Sequence, residues 1–416
     1  MTLFLKLVSL GAAVGFACGC ASFVFLRGLD ALTSMRSAHE QWVFALPLAG
    51  MFLGLALRRW GTSIQRGTGL VLEAYHHQAS SEGLQRIPLR VAPMVLAGTW
   101  LTHAFGGSAG REGTAVQMGA SLAEAIARLF RVSPDLRRRL LIAGMAGGFG
   151  SVFGTPIAGA IFGLEIVVVG RLDRSALVPA VAASFVGDRV ARMLGAEHTV
   201  YPAYIPISLT PIVFGKLCLM GAAMALLAVA FLESIHRIKG VLEAKIPHPG
   251  LRMSLGGVAV VGLWQLTGTS DYLGLGLPML TRAFTDPALP QWAFLAKLVF
   301  TVLTLGSGFI GGEVTPLFFI GATAGNVLAQ RLGLPLTLGA GVGMAAVFGA
   351  AANTPLALAI MAAELLGPAI FPHAFLVVAI AYVLTGQRSL YRSQRFVRTK
   401  LGRPIQPSAR GSSIVP

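Results

Sequence analysis

The chain has 416 residues, of which 55% are hydrophobic and only 12% charged, about half the charged share of a soluble domain. Its 51 glycines follow no three-residue period, which excludes collagen, and so apolar a chain is not disordered. The net charge of +16 comes without a basic stripe interleaved with aromatics, so it reads as the inward-facing basic surface of a polytopic membrane protein and not as a nucleic-acid footprint.

Apolar segments predict helices near residues 3–26, 41–57, 91–105, 140–169, 175–187, 207–232, 252–266, 291–305, 314–330, 339–366 and 369–386. The first is longer than the apolar core of a signal peptide, and Lys6 is its only early charge, so it reads as a membrane helix. Several others fall short of the roughly 20 residues that span a bilayer, and several are broken by Gly or Pro. Short, interrupted apolar segments are where irregular backbone surrounds a cavity, which points to a transporter or pore. Arg58 and Arg59 end the second helix, Arg128, Arg131, Arg137, Arg138 and Arg139 cluster, and residues 388–410 are basic and almost free of acids. By the positive-inside rule the tail and the Arg58–Arg59 end face the cytoplasm, in the cell's inner (plasma) membrane. Residues 401–416 read as a loose cytoplasmic tail. Cys18, Cys20 and Cys218 make no disulfide framework, and the first two read as small packing residues.

An internal repeat is visible. Residues 144–165 align with 343–364, pairing Phe149 with Phe348, Gly150 with Gly349, Thr155-Pro156 with Thr354-Pro355, and Glu165 with Glu364. Just upstream, Gly119-Ala120-Ser121 aligns with Gly321-Ala322-Thr323. Two copies in one chain imply halves of about 41–190 and 207–390, within one membrane domain over residues 1–400, with a binding site at their interface.

Four places carry chemistry. Gly106-Gly107-Ser108-Ala109-Gly110-Arg111-Glu112-Gly113-Thr114 precedes a glycine-spaced helix. The first N–H groups of a helix lack intrahelical partners and lie at the positive dipole end, so they bind an anion without a full positive charge. Glu112 is itself an anion, can occupy such a site in place of a free ion, and can be protonated. Its repeat partner is Gly306-Ser307-Gly308-Phe309-Ile310-Gly311-Gly312-Glu313-Val314-Thr315-Pro316, where proline suits a first helical turn. Two helix starts from the two halves are therefore expected to converge on one anion. Glu313 is an acid in or near the membrane, either functional or paired with an arginine such as Arg111. Gln65-Arg66-Gly67-Thr68-Gly69 sets a hydroxyl between glycines, and Tyr391 closes the last apolar segment, as an interfacial anchor or facing an ion path.

In this order the four places resemble the CLC family of chloride channels and proton-coupled anion antiporters, over nearly the whole membrane chain. The resemblance implies an all-α polytopic fold of two inverted-topology repeats with broken and re-entrant helices, in a homodimer with one ion path per subunit. It implies that Glu112 is the external gating and proton-coupling glutamate. It also implies that main-chain N–H groups around Gly110, Arg111, Glu112, Gly113, Val314 and Thr315 line the anion site, with Thr68 and Tyr391 at its inner part. Thr114 departs from the proline of chloride members, and Glu313-Val314-Thr315 replaces their apolar residue followed by Phe-Ala. Both departures resemble the fluoride-exporting clade, in which the acid matching Glu313 and the hydroxyl matching Thr315 are implicated in transport. Where chloride antiporters place an internal proton glutamate stands Ile166, beside Glu165. Thr68 stands where the fluoride clade has Met or Asn, and Val71 replaces the proline of the chloride motif.

The expected activity is proton-coupled export of fluoride, the alternative being chloride/proton antiport or a passive chloride channel. The expected partners are fluoride or chloride, protons and membrane lipid. His76-His77 reads as a solvated loop, since no third metal ligand follows at regular spacing. Glu165 and Glu364, at mirrored helix positions, read as structural. Neither a nucleophile elbow nor a P-loop is present, so an enzyme and ATP drive are not expected, and no cofactor or metal is implied.

Overall fold

The structure is a computed structural model that describes residues 3–61, 64, 67–76 and 86–403. The readings that fall on Gln65, Arg66, His77 and the tail after residue 403 lie outside the described residues.

Sixteen α-helices carry the described fold. Ahead of the first half, expected over about 41–190, runs α1 (Leu3–Ala38); then come α2 (Leu46–Trp60), α3 (Thr68–His76), α4 (Val91–Ala104), α5 (Glu112–Leu129), α6 (Pro134–Phe153), α7 (Pro156–Glu165) and α8 (Leu177–Met193). The second holds α9 (Pro211–Lys245), α10 (Pro249–Thr267), α11 (Leu277–Arg282), α12 (Ala293–Gly306), α13 (Val314–Leu332), α14 (Leu336–Ala352), α15 (Pro355–Leu366) and α16 (Phe371–Leu384). By length and composition Leu3–Ala38, Glu40–Trp60 and Pro211–Lys245 can each cross a membrane. At 36 and 35 residues, α1 and α9 run well past the expected 3–26 and 207–232 and exceed a hydrocarbon core of about 30 Å, which calls for tilt.

Two single apolar runs expected from the sequence, 140–169 and 339–366, are each broken in two, by one device used twice. Gly154 (φ +74°) ends α6 and Asn353 (φ +60°) ends α14, both in the left-handed region. A threonine follows each, and then a proline, Pro156 or Pro355, opens the next helix where its missing N–H costs nothing. The resulting short helices α7 and α15 cap one another. Glu165 accepts from the N–H groups of Leu356 (3.1 Å) and Ala357 (2.9 Å), and Glu364 accepts from those of Ile157 (3.0 Å) and Ala158 (2.7 Å). Carboxylates at helix N-termini meet unpaired donors and the positive dipole end, which gives the structural reading of both glutamates its geometry.

The pairs α5–α6 and α13–α14 also repeat one packing. A Cβ on Gly119 would stand 2.2 Å from the Gly144 carbonyl oxygen, and one on Gly321 would stand 2.2 Å from that of Gly343. Without side chains the backbones touch, which is how helices associate where no hydrophobic drive separates protein from lipid. Cys18 packs into the first of these contacts, beside Gly144.

After α16 the chain returns to the core. β1 (Val168–Val169) pairs in parallel with β2 (Arg395–Phe396), and Gln394 Nε2 donates to the carbonyls of Ile166 (2.7 Å) and Ala352 (3.1 Å). This segment carries Tyr391, and it is fixed against the ends of both halves. His76 departs from the solvated loop that the sequence leads one to expect. It is the last residue of α3, because the run from Thr68 to Tyr75 is buried and continues helically.

Candidate anion site

Two glycine-rich loops, one after α4 and one after α12, meet at the centre. Gly110 N–H donates to Gly312 O (2.6 Å), and Gly312 N–H donates to Gly110 O (2.8 Å). A Cβ on Gly312 would lie 2.6 Å from Gly113 N, so only glycine allows the approach. The N-termini of α5 and α13 are thereby held together, as the repeat predicts.

Glu112, the first residue of α5, is buried and reaches across to the start of α13. Its carboxylate accepts from Thr315 N–H (3.1 Å) and from the Thr315 hydroxyl (2.7 and 2.5 Å to the two oxygens). Arg111 N–H lies 3.2 Å from the same group, and Arg111 Nε stands 3.5 Å from Oε1. An anion thus sits at a helix N-terminus, served by backbone and hydroxyl donors, as the chemistry of such ends requires. It bridges the two termini, held by Thr315 of the partner helix and by the Arg111 N–H that caps its own. The arginine considered as a partner for Glu313 is instead the neighbour of Glu112, and Arg111 Nη2 turns to the Thr199 hydroxyl (3.4 Å).

The loops are fastened from behind by side chains to which the sequence assigned no such role. His103, buried, faces Thr99 O (2.8 Å) through Nδ1 and Ala109 O (3.0 Å) through Nε2. Thr102 donates to Ile310 O (2.8 Å), and Ser108 binds the hydroxyls of Thr301 (3.0 Å) and Thr304 (3.1 Å). Thr114 joins its hydroxyl to that of Thr99 at 2.6 Å, tying α5 to α4. Lys297 is fully buried and donates to the carbonyls of Tyr272 (3.0 Å) and Gly274 (2.7 Å). Thr102, Thr301 and Thr304 appear in the sequence as single hydroxyls inside apolar runs, indistinguishable from self-bonded helix hydroxyls, whereas the lone charge of Lys297 inside such a run was a signal that could have been followed.

Glu313 lines a different space, a cavity of about 310 Å³ shared with Thr68, Gln117, Tyr391, Lys239 and Arg252. Thr68 is the first residue of α3, and it and Tyr391 are both buried and line the same cavity. Val314, the first residue of α13, is buried between the two places. Glu313, one residue from the start of α13, therefore faces a mixed-charge vestibule that Lys239 also lines, while Glu112 is sealed against Thr315. Lys239, His236 and Arg252 arrive from α9 and α10, far from any motif. Ile166 is fully buried, with its carbonyl taken by Gln394.

The chain has relatives among known proteins. Residues 49–386 match the family model described as voltage gated chloride channel. A "Chloride/fluoride channel protein" of Pseudomonas syringae pv. tomato is 41% identical over 417 residues, covering 98% of this chain and 90% of that protein. Among solved structures, a CLC-type fluoride/proton antiporter is 36% identical with a TM-score of 0.90, covering 95% of this chain and 100% of the other. A slow cyanobacterial Cl⁻/H⁺ antiporter shares the fold, with a TM-score of 0.79 at 18% identity over 91% of this chain and 94% of its own.

Proposed function

This chain belongs to the voltage-gated chloride channel (CLC) family, and we propose that it exports fluoride in exchange for protons across the plasma membrane. The observation that carries the reading is the Glu112 carboxylate seated on the amide and hydroxyl of Thr315. The carboxylate is a tethered stand-in for the transported anion. When it takes a proton its hold on these donors weakens, it leaves, and a free anion replaces it. Fluoride loses more than chloride on dehydration, so its site must return more hydrogen bonds. Thr315 adds a hydroxyl to the helix-end amides, where chloride members carry an apolar side chain.

In this reading the N–H groups at Arg111, Gly113, Val314 and Thr315 form the outer anion site, Gly110 is no donor to it because its N–H is spent on Gly312 O, and Thr68 and Tyr391 flank the inner passage. Glu313, lining the vestibule, relays protons in place of the glutamate absent at Ile166. The arginine-rich face and the tail lie in the cytoplasm by the positive-inside rule, and two copies pair with one path each.

Efflux from liposomes reads the proposal directly. Wild type is expected to release fluoride well over tenfold faster than chloride, a discrimination that needs only about 1.4 kcal/mol. Equal rates would place the chain functionally with chloride transporters or channels.

A further inference from the structure

A second cavity of about 310 Å³ lies at the far end of α5, lined by Arg86, Glu124, Arg128, Arg131, Pro134 and Arg137. Four guanidinium groups face one carboxylate. Glu124, buried, accepts from Arg137 Nε (2.7 Å) and Arg128 Nε (3.3 Å), and Arg128 Nη2 also donates to Ile87 O (2.7 Å). Arg86 and Arg131 enter no ion pair among the described residues.

The backbone marks the same place. Arg131 follows the helix cap Phe130 with φ +48°, while its N–H bonds Arg128 O (3.1 Å) and Val132 N–H bonds Ala127 O (3.1 Å). That is the Schellman ending, whose left-handed position is normally glycine. Glycine fills the left-handed position after α6, α10 and α13, and asparagine does so after α14. Among the described residues Arg131 and Asn353 are the two non-glycines with positive φ. A bulky side chain in this conformation is strained, and strain persists where the surroundings have a use for the side chain.

The rim is apolar. Leu129, Phe130 and Leu89 are 75%, 59% and 55% exposed, directly beside Arg128, Arg131 and Arg90 in the chain. Exposed leucine and phenylalanine next to a guanidinium-lined basin match the boundary where acyl chains meet headgroups. We infer that this basin binds the phosphate of an acidic phospholipid, with Arg86 and Arg131 on the headgroup and Leu129 and Phe130 against its chains. Arginine suits the role because its planar fork pairs two phosphate oxygens at once.

The test is thermal unfolding of the full chain in neutral detergent, titrated with short-chain phosphatidylglycerol, short-chain phosphatidylcholine or inorganic phosphate. Phosphatidylglycerol is expected to raise the Tm saturably, and the other two are not. R86Q/R131Q should weaken the apparent affinity at least tenfold. R131G, which also relieves the strained backbone, should match or exceed the wild-type Tm without lipid while losing most of the lipid shift. It decides the question if the double variant does not fold. An undiminished phosphatidylglycerol shift in these variants overturns the site. An equal shift with inorganic phosphate overturns the lipid as its occupant.

Discussion

Glu112 and Glu313 are neighbours across one pair of helix starts, yet the structure gives them different surroundings. Glu112 is sealed against Thr315, and Glu313 opens on the vestibule. In the proposed cycle the first moves with the proton and the second passes it on. Glu112→Gln should keep or speed anion movement and abolish coupled proton flux, read from fluoride and pH electrodes on the same vesicles. Glu313→Gln should lose fluoride transport while the protein still folds and pairs. A variant with unchanged fluoride and proton flux would remove Glu313 from the mechanism. A third residue prediction concerns Asp173, outside the membrane helices, which accepts from Tyr75 (2.5 Å) and Ser175. Burial raises its carboxyl, but the hydrogen bonds from Ser175 and Tyr75 outweigh that and leave it below the ordinary range. Its stabilising contribution is therefore present above about pH 4 and is lost as the pH falls through the folded value. Asp173→Asn should cost about 1 kcal/mol at pH 7 and flatten the acid side of the stability profile in thermal melts. At this scale the sequence revealed the motif residues, because glycine runs around an acid are rare. It did not reveal that Glu112 binds the partner helix, since that contact spans 203 residues.

The elements were legible where their punctuation was strong. Pro156 and Pro355 begin helices, and the repeat aligned them, yet both breaks were read as continuous runs because Gly154 and Asn353 sit among apolar neighbours. The short α3 was legible only as an apolar stretch after Thr68. Mirrored capping by Glu165 and Glu364 predicts mirrored costs. Glu165→Gln and Glu364→Gln should each destabilise by about 1 kcal/mol, measured by thermal unfolding, and a cost on one side alone would contradict reciprocal capping. Close packing predicts that Gly144→Ala and Gly343→Ala both destabilise, by about 1–3 kcal/mol, because the added methyl meets backbone on the facing helix.

For the whole molecule, a polytopic helical protein of two related halves followed from composition, broken apolar segments and the repeat, the inverted topology followed from the family resemblance, and the structural comparison agrees with that fold. The vestibule did not follow, because α3, α9, α10 and the segment after α16 meet there without any shared local pattern. The central claim is that an anion binding at the Thr315 donors displaces a protonated Glu112, so fluoride flow must drive proton flow. Vesicles loaded with a hundredfold fluoride excess, one pH unit more acidic inside, with the potential clamped at zero, test it most directly. The fluoride gradient supplies about 2.7 kcal/mol against about 1.4 for the protons. Wild type should move protons inward, up their gradient, as fluoride leaves, and Glu112→Gln should release fluoride without that uptake. Fluoride release by wild type with no inward proton movement, or with protons leaving alongside it, would contradict the account.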